Sequence, residues 1–222
     1  MNTCFLISLI NESGVSPSVT TFINDKSFLN ICIEKIRKCN FTNTVLLTNC
    51  KHSQLIAVEQ SIECTKITET SMDKIMYNSA IDYMYEYGFF MNSNFPLIEN
   101  NSIMKYLKKI QLGEFDSGFS SNSHKELPLW KNGQPINFSL SERNSFIQQE
   151  CSLENGAFYI RTRDSILSAK NLYSGVIKNL DITFQESINH QNYLSDIKKT
   201  KKQPIIENDF QKILKKTSWL KK

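Results

Sequence analysis

Glycine is scarce: seven residues in 222, scattered singly. That leaves no Walker loop, no Gly-x-Gly-x-x-Gly fingerprint and no Gly-x-Ser-x-Gly elbow, so those routes to phosphate binding and acyl transfer are excluded. Histidine is rarer still. His52, His124 and His190 have no metal-ligand spacing and read as surface histidines. The six cysteines, at 4, 32, 39, 50, 64 and 151, form no Cys-x-x-Cys pair and read as reduced, buried small hydrophobes of a cytosolic protein. No apolar run approaches the ~18 residues that span a bilayer. Cys4 to Ile10 is apolar but lacks a basic flank and ends in Asn11-Glu12, unlike a signal peptide. The expectation is a cytoplasmic, soluble protein. Basic residues are also missing where they would matter: none lies between Leu9 and Asp25.

What is present is a core. Hydrophobic residues make up 40% and aromatics 11%, enough for one large domain. The net charge of +4 is uneven. Residues 198–222 hold nine lysines against Glu207 and Asp209, a net +7, leaving 17 basic and 20 acidic residues, a net −3, for the rest. Such a body is not a nucleic-acid binder; any anionic partner meets the tail.

In chain order, Cys4 to Ile10 suits a strand covered on both faces. Ser27 caps a helix running to about Cys39. Thr44–Thr48 is a second strand, Gln54–Ser61 a short helix and Thr65–Thr68 a third strand. A longer helix runs from Ser71 to about Tyr87, followed by the buried strand Phe89–Met91 and a helix over Ser102–Leu112. This alternation predicts an α/β fold: a Rossmann-like, three-layer arrangement around a mostly parallel sheet. A ligand would then sit beyond the carboxyl ends of the strands, where Asn11 to Val19 and Asn92 to Asn94 fall. From Leu127 to Glu150 the pattern is irregular. Asp181, Glu186 and Asp196 read as solvated carboxylates.

The stretch Glu154-Asn155-Gly156-Ala157-Phe158-Tyr159-Ile160 reads as a turn on Asn155-Gly156 released into a buried strand. Phe95-Pro96-Leu97 precedes it, and Glu186-Ser187-Ile188-Asn189-His190-Gln191 follows. In order, spacing and apolar pattern these segments resemble the CMP-sialic acid synthetase (acylneuraminate cytidylyltransferase) family over most of residues 3–197. The resemblance implies a nucleotidyltransferase fold and a homodimer whose arm, about 127–150, presents Trp130 or Phe138 to the partner. It implies CTP and Mg²⁺ as the reaction's nucleotide and cofactor.

Cytidylyl transfer passes through an anionic transition state and needs cations on the phosphates and carboxylates on the metal. The family has Ala-Arg-Gly-Gly-Ser-Lys in its first loop, Gln-Pro-Thr-Ser-Pro-Leu-Arg in a later turn and Asp-Ile-Asp near its end. Here Gly14 alone matches the first. At the second, Asn92 stands for the Gln and Ile98 for the Arg, with Pro96 and Leu97 retained. At the third, Asn189 and Gln191 take the two Asp positions, and neutral amides cannot neutralise Mg²⁺ beside a triphosphate. Ser71 sits where the family has a serine near the nucleotide and is also a good helix N-cap. Asn92 and Asn94 are candidate nucleotide contacts or turn formers. Asn155 is a candidate sugar contact or a turn residue. No catalytic residue is assigned.

Three functions remain open. The first is a degenerate family member of surface-glycan synthesis, acting beside an active paralogue. The second is a working nucleotidyl- or glycosyltransferase drawing on Lys105, Lys108, Lys109, Arg143, Arg161 or Arg163. The third is an interaction module acting through its tail. In that tail, Lys198 to Pro204 reads as an exposed basic linker. Asn208 to Leu220 reads as an amphipathic helix with Phe210, Ile213 and Leu214 on one face. The helix either docks on the body or a dimer mate, or lies on an anionic membrane surface, where each lysine contributes ~1 kcal/mol.

Overall fold

β1 (Asn2–Ser8) is buried on both faces from Thr3 onward, as its continuous apolar run requires. The computed structural model describes residues 2–11, 14–125, 130–132, 134–135, 150–169 and 173–199. After β1 the chain forms a short α1 (Pro17–Thr20), a hairpin of β2 (Phe22–Ile23) and β3 (Lys26–Ser27), and α2 (Phe28–Ile36). Ser27 caps α2 as expected, its hydroxyl accepting from Asn30 N at 3.2 Å. β4 (Asn43–Thr48), α3 (Lys51–Glu59), β5 (Glu63–Lys66), α4 (Met72–Asp82), β6 (Tyr87–Asn92) and α5 (Asn100–Gln111) follow. Then come β7 (Ser117–Lys125), the ribbon of β8 (Trp130–Lys131) and β9 (Gln134–Pro135), and β10 (Glu150–Thr162). The last described elements are α6 (Arg163–Ala169), β11 (Ile177–Asp181) and α7 (His190–Lys199).

Seven strands form one sheet in the order β11-β7-β10-β6-β1-β4-β5. Only β10 runs against its neighbours β6 and β7; the other pairings are parallel. The fold is therefore the α/β arrangement read from the alternation, with one reversed strand. Strand side chains alternate between two cores. Cys4, Leu6, Phe89, Met91, Phe158 and Ile160 face α2 and α5. Phe5, Ile7, Phe90 and Tyr159 face α4 and α6. Phe89 stacks on Phe158 with ring centres 5.1 Å apart, and Phe5 on Phe90 at 4.8 Å. Each such fully buried ring contributes about 2–3 kcal/mol of transfer free energy.

Three expectations are corrected. The helix from Ser71 ends at Asp82, not Tyr87. Tyr83 is already extended, at φ −123° and ψ 142°, because the chain must reach β6, which pairs with both β1 and β10. Gly88 permits the descent: a Cβ there would lie 2.6 Å from the Phe90 ring and 3.0 Å from that of Tyr85. Asn155-Gly156 does not reverse the chain. β10 runs through it, and the register against β7 jumps from Glu154↔Ser121 to Tyr159↔Phe119, a bulge in which Gly156 takes φ +71°. Glu186 is not solvated. It is 3% exposed and accepts from Glu99 N at 3.0 Å, Thr183 N at 2.9 Å and Thr183 Oγ1 at 3.0 Å.

Cys4, Cys32, Cys39 and Cys50 are buried thiols, as their surroundings imply; burial pushes the Cys32 thiol up to about 12. His52 is exposed, whereas His190 is only partly so and its Nδ1 is buried without a hydrogen-bond partner. Among the described residues no helix is long and apolar enough to cross a membrane. Phe138, Arg143 and residues 200–222 of the tail lie outside the described residues, as does the side chain of Trp130; Lys198 and Lys199, read as linker, instead close α7.

Candidate ligand site at the carboxyl edge of the sheet

β1 feeds outward to β4 on one side, whereas β6, its other neighbour, feeds through α5 toward β7. The two loops diverge, which opens a crevice between them. In open α/β sheets that switch point is where ligands bind. Its walls are Leu9 to Asn11 and Gly14 to Ser16 from the loop after β1, and Ser93 to Glu99 from the loop after β6.

The first wall holds itself together with hydroxyls. Ser8 Oγ lies 2.8 Å from Ser16 Oγ, 2.9 Å from Ser18 Oγ and 2.8 Å from Ser53 Oγ, and all four serines are buried. Thr48 Oγ1 donates to Ser8 O. Asn49 Oδ1 accepts from Ile10 N at 2.8 Å, and Gly14 N donates to Asn11 O at 2.9 Å to close the turn. Here neutral hydroxyls fasten the loop inward.

The second wall is pinned from three directions. Ser93 donates through both N and Oγ to Ile7 O, at 3.0 and 2.8 Å. Lys35 Nζ donates to Ile98 O at 2.7 Å, and the Glu186 carboxylate takes Glu99 N. Burial pushes the Lys35 ammonium below its usual range, against the opposing pull of Cys32, Glu186 and Glu99. Asn92 is largely consumed: its Oδ1 accepts from Asn94 N at 3.0 Å, and its Nδ2 reaches Gly156 O at 3.5 Å. Asn94 differs. Its Oδ1 is shielded yet has no hydrogen-bond partner.

Across β10, Asn155 belongs to an internal amide network. Its Oδ1 accepts from Ser120 Oγ at 2.6 Å and Ala157 N at 3.1 Å, while its Nδ2 donates to Asn122 Oδ1 at 2.9 Å. The network stabilises the bulge; the turn reading of Asn155 is the one its contacts express. Beside it, Glu154 is clasped by two phenols. Tyr159 OH donates to Oε1 at 2.5 Å and Tyr173 OH to Oε2. Burial first, and then the bond to Glu154, push both hydroxyls above their ordinary range, so they remain donors.

Ser71 stands at the N-cap of α4, exposed, and makes no side-chain cap bond. Its hydroxyl is left for other use. Asn189, by contrast, is spent: its Oδ1 accepts from Gln191 N at 3.0 Å and Asn192 N at 3.1 Å, capping α7. Gln191 is exposed on the first turn of that helix. A divalent cation does not fit here, because the one oxygen aligned with the family's first metal carboxylate faces backbone amides. Among the described residues no group of three His, Cys, Asp or Glu could hold a metal ion.

Of the alternative cations, Arg161, Arg163, Lys108 and Lys109 lie away from this edge. Arg161 is 1% exposed, and its guanidinium donates to Ser165 O at 2.9 Å and Ser174 Oγ at 2.7 Å. Arg163 lies past Thr162, which pairs with Tyr87 at the opposite edge. Lys108 and Lys109 occupy the last turn of α5, also at that edge, and Lys109 pairs with Glu114 at 3.6 Å. Sequence reasoning missed Lys51 and Lys66, exposed at the carboxyl ends of β4 and β5. Their position, at the start of the helix after β4 and on the last residue of β5, was the available signal. It also missed Ser120, Asn122 and the Tyr–Glu–Tyr clasp, since β7 is too polar to announce itself as a strand.

No protein-family model matches this sequence, and no curated protein matches it significantly. Solved structures do match in fold. CMP:2-keto-3-deoxy-manno-octonic acid synthetase complexed with CTP superposes with a TM-score of 0.66 at 9% identity, over 90% of this chain and 97% of that one. The bifunctional IspDF from Campylobacter jejuni gives 0.64 at 10% identity, over 89% of this chain and 53% of that one, so this chain spans about half its length. The 4-diphosphocytidyl-2C-methyl-D-erythritol synthase from Anaerococcus prevotii gives 0.62 at 7% identity, over 90% and 96%. The fold is thus that of the cytidylyltransferases.

Proposed function

We propose that this chain is a nucleotidyltransferase-fold protein related to the activation of sialic acid-like sugars, and that it binds a nucleotide or sugar acid weakly without performing the synthetase reaction. One observation carries this reading. The residues aligned with the family's charged positions are neutral; Asn189 spends its carboxamide oxygen capping α7, and the hydroxyl node around Ser8, beneath the first loop, is satisfied internally. Phosphoryl-transfer chemistry rests on preorganised cations, and hydroxyls satisfied by one another do not supply them. Ser71 Oγ remains, exposed, as a donor for a ribose, a base or a sugar. A companion role beside an active paralogue of surface-glycan synthesis accommodates both features.

Calorimetry tests the binding half. CTP binds with a dissociation constant on the order of 1 mM, about 4 kcal/mol, and Mg²⁺ changes that constant by less than about twofold because no carboxylate pair recruits it. Ser71→Ala weakens binding further, while Asn189→Asp, an equally good helix cap, leaves stability unchanged within about 0.5 kcal/mol. Tight, Mg²⁺-dependent binding by the unaltered chain would end this reading.

The arm, 127–150, carries the second part of the proposal: a two-fold homodimer burying Trp130 or Phe138, with an obligate interface on the order of 2,000 Å². Sedimentation at micromolar concentration is expected to give twice 25.7 kDa. A mass of 25.7 kDa removes the dimer from the proposal.

A further inference from the structure

The edge opposite the ligand site, where β6 and β7 begin and β10 ends, carries a shallow depression of about 550 Å³. Its walls include Met84, Glu86, Asp116, Arg163 and Asp164, three carboxylates and one guanidinium; Lys109 and Lys178, at the same edge, pair with Glu114, and Lys108 stands beside them in the last turn of α5. Arg163 Nε already donates to Ala80 O at 2.8 Å, Glu86 Oε1 accepts from Tyr87 OH at 2.6 Å, and Asp116 Oδ2 accepts from Val176 N at 2.7 Å. Exposed Asp82 adds a further negative charge two residues before Met84. Large apolar side chains stand out around these acids: Met84 is 72% exposed, Ile81 56%, Val176 60% and Ile177 51%. Isolated exposed hydrophobics need no explanation, but exposed apolar side chains on both flanks of a depression lined by carboxylates fit an amphipathic basic partner.

The chain contains such a partner. Its residues 208–220 pattern as a helix with Phe210, Ile213 and Leu214 on one face and Lys212, Lys215 and Lys216 largely off it. We propose that this segment docks on the acidic edge of its own chain, its apolar face over Met84, Ile81 and Val176 and its lysines beside Asp82, Asp116 and Asp164. The eight residues 200–207 reach up to about 27 Å when extended. Tethering also gives the segment a millimolar effective concentration, so at micromolar protein it outcompetes the same segment of a second copy. The proposal is independent of the nucleotide reading, which concerns the other edge.

Hydrogen exchange on the full chain, compared with a chain ending at Lys199 that retains every core residue found buried among the described residues, tests it. Amides around Met84–Tyr87 and Thr162–Asp164 are expected to exchange about tenfold faster without the tail. Met84→Glu in the full chain, at a site too exposed to affect folding, is expected to reproduce that loss. Raising the salt to 1 M is expected to reduce the protection of the unaltered chain, since the Debye length falls to about 3 Å. Equal exchange in both chains overturns the proposal. Protection that fades on dilution overturns it in favour of a second copy. Tail-dependent flotation with anionic vesicles, without protection of this edge in their absence, overturns it in favour of a membrane surface.

Discussion

Incubated with CTP, Mg²⁺ and a panel of nonulosonic acids, the protein is expected to release no pyrophosphate above the uncatalysed background. A single preorganised donor facing developing charge contributes about 10²–10³ in rate. Here the first loop offers hydroxyls that satisfy one another around Ser8, and the late motif offers an amide that caps α7. With at least two such contributions missing, the expected deficit is on the order of 10⁴-fold or more. Installing carboxylates with Asn189→Asp and Gln191→Asp leaves the deficit in place. The first new carboxylate caps the helix just as the Asn189 carboxamide does, and the triphosphate still lacks its cations. Robust turnover by the unaltered chain would overturn the proposed loss of activity and point to charges such as Lys51 and Lys66, exposed at the ends of β4 and β5.

The second large effect is expected at Glu186. Its carboxylate, 3% exposed, gathers Glu99 N, Thr183 N and Thr183 Oγ1, and so ties the loop after β11 to the start of α5. Glu186→Ala strands those donors and is expected to cost about 3 kcal/mol, since a buried donor left unpaired costs about 1–3 kcal/mol. At this chain length, that lowers Tm by roughly 6–12 °C. Glu186→Gln keeps one acceptor and is expected to cost about 1–2 kcal/mol. The acid limb separates the two roles of the residue. Burial pushes the carboxyl up, but the bonds from Ser102, Thr183 and Glu99 outweigh it, so the group titrates below its ordinary value. A depressed carboxylate contributes stability above the unfolded pKa, about 4.3, and loses it as pH falls through the folded value. Denaturation against pH is therefore expected to be flatter below about pH 4 for Glu186→Gln than for the unaltered chain. Parallel acid limbs in the two proteins would show that Glu186 is not ionised when folded.

Local pattern in the amino-acid chain is enough to specify the framework of this protein. Continuous apolar runs at Cys4–Ile10, Val45–Leu47 and Phe89–Met91 can only be strands covered on both sides. With helical periodicities between them, they specify an α/β sheet, and the switch point beyond Asn11 and Asn92 follows from that order. The missing cations of the first loop were equally legible, because absence of charge needs no coordinates. Where each polar atom spends its hydrogen bonds is settled only by packing between distant segments. Ser8, Ser16, Ser18 and Ser53 are ordinary serines in sequence, separated by up to 45 positions, and become one node only when β1 and α3 meet. β7, mostly serine, asparagine and glycine, has no strand periodicity, and pairing with β10 and β11 makes it one. Glu186 looks like a surface carboxylate until α5 presents its amide. Asn155, Asn189 and Asn94 share one side chain, and long-range packing alone made the first a bulge brace, the second a helix cap and the third an acceptor without a partner.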